Sequence, residues 1–189
     1  PALNFTELDC LYGQYLFRAN LPVEANAQAQ KLWLVGKSQP EACDALFSQW
    51  QRSGGLTDEL RWQRAKLAAE AGQYGLASSL IRQLPGLTHK GQLLVEVAQK
   101  PQLLKQTGKF VPADRQMADV VGLGLRRMAR QNPEQAIEWL EFYGNRLPFS
   151  SEEKVAIARS IGLTLAKRFD ARALKVMAQY DPELRDNTV

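Results

Sequence analysis

The chain is poor in the residues that usually carry chemistry: it has one histidine and two cysteines. The histidine, His89, stands in "LTHKG" after a Pro-Gly turn with no cysteine nearby, so it reads as a solvated loop residue rather than a metal ligand. There is no Gly-x-Ser-x-Gly elbow, no His-Glu-x-x-His pair and no Walker-type phosphate loop. No catalytic, cofactor-binding or metal-ligating residue is therefore assigned, and no cofactor is expected. No apolar run approaches the roughly eighteen residues of a membrane span. Strand-like alternation is close to absent, which excludes a β architecture. The N-terminal "PALNFTELD" lacks an initiator Met, a basic segment and an apolar segment, so the chain is expected to begin after processing or to be a piece of a longer protein. An arginine-rich arm is missing too. The net charge of +4 is dispersed along the chain, with no block longer than "LRR" at Leu125 to Arg127 or "AKR" at Ala166 to Arg168. Such dispersion describes a solvated face, and nucleic acid is not expected as a partner.

What is present is helical periodicity. Leu8, Leu11, Tyr12, Tyr15, Leu16 and Ala19 recur at helical spacing, as do Cys43, Leu46, Phe47 and Trp50, and Leu76, Ala77, Leu80, Ile81 and Leu84. Met117, Val121, Leu125 and Met128 repeat the pattern, followed by Val155, Ala158, Ile161, Leu165 and Phe169. Each set predicts one apolar stripe along one helix. Start signals agree: Ser38 with Glu41 around Pro40, and Ser150 with Glu153, read as capping boxes, and Asn132 reads as an N-cap before Pro133 and Gln135. Stops are predicted at Gly36, Gly54-Gly55, Gly72, Pro85-Gly86, Pro101, Pro148 and Pro182. The pattern predicts about ten helices, and it is weakest between Gly86 and Pro112.

Three segments share a plan: "AEAGQYGLASSLIRQLP" (69–85), "ARQNPEQAIEWLEFYGNRLP" (129–148) and "AKRFDARALKVMAQYDP" (166–182). In each, a turn leads to a helix carrying Ala77, Ala136 or Ala173, with an apolar residue four positions later and a Pro at the close. A small residue at a crossing lets antiparallel helices approach closely. The predicted fold is all-α: stacked antiparallel helical hairpins forming a tetratricopeptide-like superhelix, residues 1–189 being a single domain of that kind. Such stacks bind or support other molecules.

The remaining features have structural readings. "GLG" at Gly122 to Gly124 follows no strand and lies inside an apolar stripe, where small residues permit close packing. Asp58 with Glu59, and Glu152 with Glu153, stand in first helical turns, where negative charge complements the helix dipole. Trp33, Trp50, Trp62 and Trp139 could stack on sugar rings, but Trp33 and Trp50 fall on apolar stripes and read as core. Cys10 and Cys43 are compatible with one bridge or with two buried thiols.

"KLWLVGKSQPEACDALFSQWQRSG", Lys31 to Gly54, resembles a segment of the soluble lytic murein transglycosylases of Gram-negative bacteria. There a Leu-Trp-Leu-x-Gly-Lys-Ser-Gln-Pro turn joins two helices and is followed by Ala-Cys-Asp and Leu-Phe-x-x-Trp. Fainter similarity runs through "AGQYGL" (71–76), "RQMADVV" (115–121) and "ARQNPEQA" (129–136). The resemblance implies a periplasmic parent enzyme in which a ring-forming helical superhelix precedes a catalytic domain similar to goose-type lysozyme. That enzyme cleaves the bond between N-acetylmuramic acid and N-acetylglucosamine, leaving a 1,6-anhydromuramoyl end. One Glu, in an Ala-Arg-Gln-Glu-Ser setting before a Gly-Leu-Met-Gln segment, serves as acid and base. "VAIARSIGLTL" (155–165) echoes that setting but has Ile161 where the carboxylate belongs, and an aliphatic group transfers no proton. The resemblance thus implies an inactive superhelical scaffold fragment, with peptidoglycan strands and other cell-wall proteins as partners through the parent. It also implies a Cys10–Cys43 disulfide, worth roughly 3–4 kcal/mol. In the stretch 31–54 it implies a joint that Trp33 and Trp50 pack, Ser38 caps and Cys43 staples. The competing expectation is a stand-alone tetratricopeptide-like adaptor that binds a protein in its groove.

Overall fold

The computed structural model describes residues 5–180, and the stop expected at Pro182 lies outside them. Among the described residues there are ten α-helices and no strand. They are α1 (Phe5–Arg18), α2 (Pro22–Trp33), α3 (Asp44–Arg52), α4 (Asp58–Glu70), α5 (Tyr74–Ile81), α6 (Thr88–Gln99), α7 (Arg115–Gln131), α8 (Pro133–Gly144), α9 (Ser151–Lys167) and α10 (Arg172–Tyr180). The all-α hairpin fold read from the sequence is the one observed. The chain divides into two compact units, Pro1–Gly91 and Gln92–Val189.

In the first unit α1 packs on α2 and α3, and α4 pairs with α5. The predicted α3 stripe is core: Cys43 and Leu46 are 0% exposed and Trp50 1%. Helix α1 departs from expectation. Its buried residues are Cys10, Gly13 and Leu16, while Leu8, Leu11, Tyr12 and Tyr15 are exposed. The reason is steric and covalent. A Cβ on Gly13 would stand 2.8 Å from Leu46 Cδ2, so α1 lies against α3 along the face that also bonds Cys43. That contact turns the larger apolar side chains outward.

In the second unit α7 packs on α8 and α9, and α9 pairs with α10. Met117, Val121 and Leu125 are 0% exposed and Met128 1%, as their spacing predicts. The Asn132 side chain accepts from the Gln135 N–H, and the reciprocal Ser150–Glu153 capping box is complete. The weakly patterned stretch holds α6 and two short 3-10 turns, Pro101–Lys105 and Thr107–Lys109. Leu104 anchors it: a Cβ on Gly124 would lie 3.1 Å from Leu104 Cδ1, which confirms close packing as the role of the "GLG" glycine. The Tyr143 hydroxyl donates to the Leu104 carbonyl at 2.6 Å, and burial pushes its pKa up to about 12.

The repeat plan has a structural meaning. Ala77, Ala136 and Ala173 sit on α5, α8 and α10, the second helices of the hairpins α4–α5, α7–α8 and α9–α10, and all three are buried. At α9–α10 the partner is smaller still: a Cβ on Gly162 would stand 2.5 Å from Met177 Cγ. Phe169 is a correction to the α9 stripe. The helix ends at Lys167, and Phe169 has φ 57° and is 98% exposed. Arg168 and Phe169 make the turn into α10, so the periodic run overshoots its helix by two residues.

Candidate functional site

The stretch 31–54 is a joint, built as follows. Helix α2 ends at Trp33, and an irregular segment leads to a 3-10 turn, Glu41–Cys43, that opens directly into α3. Cys10 and Cys43 are joined, with Cα atoms 4.9 Å apart, so the one bridge among the two sequence alternatives is the one formed. Ser38 does not cap α3. Pro40 occupies the position before the 3-10 turn, and neither that turn nor α3 has a side-chain cap, because the inserted turn moves the helix start beyond the reach of Ser38. The Gln39 side chain ties the segment instead, donating to the Leu32 carbonyl at 2.5 Å.

Three aromatic rings fill the joint. Trp33 meets Phe47 edge-on at 5.1 Å and Trp50 at 6.0 Å, and its indole N–H donates to the Leu60 carbonyl at 3.0 Å. These rings are core, as their stripes predicted. Into this apolar cluster α4 sends Arg64, whose guanidinium carbon lies 4.2 Å from the Trp33 ring centroid and 5.5 Å from that of Phe47. Arg64 is 5% exposed. Its Nη2 donates to the Lys37 carbonyl at 3.3 Å, while its Nε has no partner. Among the described residues no carboxylate forms an ion pair with it. Burial lowers its pKa to about 10, since the charged form loses hydration.

Arg64, Trp33 and Phe47 form one wall of a groove of about 590 Å³ that also meets Ser38, Gln39 and Asp44. Further along it lie Ser48, Gln51, Ser79 and Gln83, a set of hydroxyls and amides. Hydrogen-bonding groups beside one desolvated cation suit an amide-rich ligand carrying negative charge. Sequence reasoning missed Arg64. The available signal was a charged residue flanked by Trp62, Ala65 and Ala68 at helical spacing, all of which are buried.

The other singled-out residues are dispersed. His89 is exposed, but it belongs to the first turn of α6 rather than to a loop. Asp58 pairs with Arg61 at 3.0 Å within α4, and Glu59 accepts from Gln63 at 3.1 Å. Glu153 does more than cap. Both of its oxygens receive the Arg115 guanidinium from α7, Oε1 at 2.7 Å from Nη2, and Arg115 also reaches the buried Asp119. Burial alone would raise the Glu153 carboxyl. The hydrogen bonds from Arg115 and from the Ser150 N–H, the Arg115 charge and a contact with Asp119 outweigh it, leaving the pKa below the usual carboxylate value. Ile161 is 0% exposed in the α9 core, so the "AIAR" echo is packed as an apolar stripe.

Comparison with known proteins gives two different matches. The family profile for Cucumovirus coat protein matches residues 13–111. That span starts inside α1, stops between α6 and α7, and crosses the border between the compact units. Viral capsid proteins commonly use β jelly rolls, and the described residues here contain no strand, so this match has no counterpart in the fold. The second likeness extends over nearly the whole chain. An inactive mutant of lytic transglycosylase Slt from Pseudomonas aeruginosa is 62% identical, with a TM-score of 0.94 over 98% of this chain and 30% of that one. The 70 kDa soluble lytic transglycosylase of Escherichia coli shares the fold, at 24% identity and a TM-score of 0.65 with the same coverage. Curated soluble lytic murein transglycosylases are 32% identical over 132 residues in Escherichia coli K12 and 34% over 135 in Salmonella typhimurium LT2. Each covers 69% of this chain, and the chain spans 20% of their length. On a likeness that follows every described helix, the chain belongs to the soluble lytic murein transglycosylase family.

Proposed function

We propose that the chain is a non-catalytic helical scaffold segment of a periplasmic lytic transglycosylase. The parent enzyme would cleave the MurNAc–GlcNAc bond of peptidoglycan with 1,6-anhydromuramoyl formation, and this segment would help hold glycan strands near a catalytic domain it does not contain. The observation that supports this reading most is the pairing of 62% identity and a TM-score of 0.94 with coverage of only 30% of the transglycosylase chain. The burial of Ile161 is consistent with it, because the one echo of a catalytic stretch lies in a helix core. In this reading residues 1–189 form one region of the parent, and the net charge of +4 suits a polymer whose peptide stems carry carboxylates.

Co-sedimentation with purified cell-wall sacculi tests the holding role. The chain should pellet with sacculi at low salt and be released as ionic strength rises, because exposed charges are screened. Failure to pellet at any salt concentration would remove the glycan-holding role and favour a protein-binding adaptor. The reading frame of the gene supplies a second check: it should continue to a Glu-Ser and Gly-Leu-Met-Gln segment.

A further inference from the structure

The groove of the first unit contains a charge that the fold does not neutralise. Removing a guanidinium from water costs several kcal/mol unless an anion or a full set of acceptors replaces the lost hydration. Arg64 is 5% exposed, yet among the described residues it makes one hydrogen bond, at 3.3 Å, and no ion pair. Its Nε is sealed from solvent without an acceptor. Its Nη1 makes no hydrogen bond among the described residues, and Arg64 lines the groove. The Trp33 ring at 4.2 Å and the Phe47 ring hold the guanidinium plane in place from behind. With Nη2 bonded to Lys37 and Nε sealed, Nη1 of this immobilised guanidinium is the nitrogen left to receive one carboxylate oxygen.

We propose that this groove is a carboxylate-binding subsite, in which Arg64 receives the carboxylate of a short acidic peptide while the groove amides and hydroxyls meet its backbone. The peptidoglycan reading enters only as the source of such a peptide, the stem attached to the glycan. Gln51, Ser48 and Ser79, with the amide oxygens of Gln39 and Gln83, whose amide nitrogens donate to the Leu32 and Ser79 carbonyls, match a ligand that alternates donors and acceptors. The one opposing group is Asp44, which lines the same groove in the first turn of α3. Its charge weakens an anionic ligand and sets a modest affinity, which suits a strand that must slide rather than stay.

The test is calorimetric titration of the chain with N-acetyl-Ala-D-Glu, with the same peptide carrying carboxamides, and with N-acetylmuramic acid, whose carboxylate is on the sugar. The free acid peptide should bind and the amide should bind at least about tenfold more weakly, as loss of a charge-assisted pair requires. Binding of N-acetylmuramic acid with no binding of the peptide would overturn the peptide assignment. Equal binding of acid and amide, or no binding of either carboxylate at millimolar concentration, would overturn the subsite itself. Arg64→Met should lose at least about tenfold in affinity while melting at the same or a higher temperature without ligand, since an apolar side chain suits a buried unpaired position. A large drop in melting temperature with binding intact would show a purely structural arginine. Asp44→Asn should tighten binding about two- to fivefold, and an unchanged affinity would contradict the placement of the ligand charge. Sacculus pelleting is read separately: peptide binding without pelleting upholds the groove and sinks the glycan-holding role, and the reverse result does the opposite.

Discussion

Breaking the Cys10–Cys43 bridge is the perturbation whose size follows most directly from the fold. The two residues are 33 apart, and both are 0% exposed. For a loop of that length the chain-entropy relation gives about 12.5 cal/mol/K, or about 3.7 kcal/mol at 25 °C. Replacing both cysteines with alanine also removes two buried sulfur atoms from the α1–α3 contact, which adds about 1 kcal/mol or more. The double variant should therefore lose about 4–5 kcal/mol in the first unit. Urea unfolding followed by tryptophan fluorescence measures this well, since Trp33, Trp50 and Trp62 all belong to that unit, and Trp139→Phe silences the fourth indole. The slope against denaturant should rise in the variant, because its unfolded chain is no longer closed into a loop. A loss below about 1 kcal/mol would refute the reasoning, for it would mean that packing against Leu46 alone holds α1 in place.

Other changes have opposite signs. Gly55→Ala should destabilise the first unit by about 1–3 kcal/mol in thermal melts, since its Cβ would stand 2.2 Å from Trp50 Nε1 and 2.6 Å from Asn26 Oδ1. Phe169→Gly should stabilise the second unit by about 0.5–1 kcal/mol, because Phe169 holds φ 57° while 98% exposed and has little packing to lose. The lowered Glu153 pKa means that its contribution is fully present above the ordinary carboxylate pKa and is lost as pH falls through the folded value. Glu153→Gln should remove that acid-range decline in melting temperature and cost about 1 kcal/mol at neutral pH, where it loosens both the cap and the Arg115 pair. An unchanged acid profile in the variant would assign the decline to other carboxylates.

The helices most legible in the sequence are those where one physical signal points one way. In α7 every residue from Met117 to Leu125 is buried, so the Met117, Val121, Leu125 and Met128 spacing meets core whichever face it marks, and α8 and α9 carry local caps that depend only on neighbours in sequence. The repeat alanines were legible for the same reason, since a small residue at fixed offset implies a close crossing wherever the partner helix comes from. Helix α1 was not, because it is apolar on two sides and Cys10, Gly13 and Leu46 decide which side turns inward only after α3 arrives. Ser38 failed as a cap through a three-residue 3-10 turn that no propensity at that position announces. Arg64 was hidden more thoroughly. A charged side chain in a core is tolerated here through the faces of Trp33 and Phe47, which lie 31 and 17 positions earlier (64 − 33 and 64 − 47) and come together only in the folded hairpins. The family resemblance came instead from the turn sequence of 31–54, where Leu32, Trp33, Cys43, Leu46, Phe47 and Trp50 are buried and Gln39 is tied to the Leu32 carbonyl.

The proposed division of labour between scaffold and catalytic centre is tested most directly by digestion of sacculi. Purified chain is incubated with peptidoglycan, and the soluble products are separated and weighed by mass spectrometry. No 1,6-anhydromuropeptide should be released above the protein-free control, with Ile161 buried in α9 where the catalytic echo would need a carboxylate. Accumulation of anhydromuropeptides in proportion to the chain added would contradict the account.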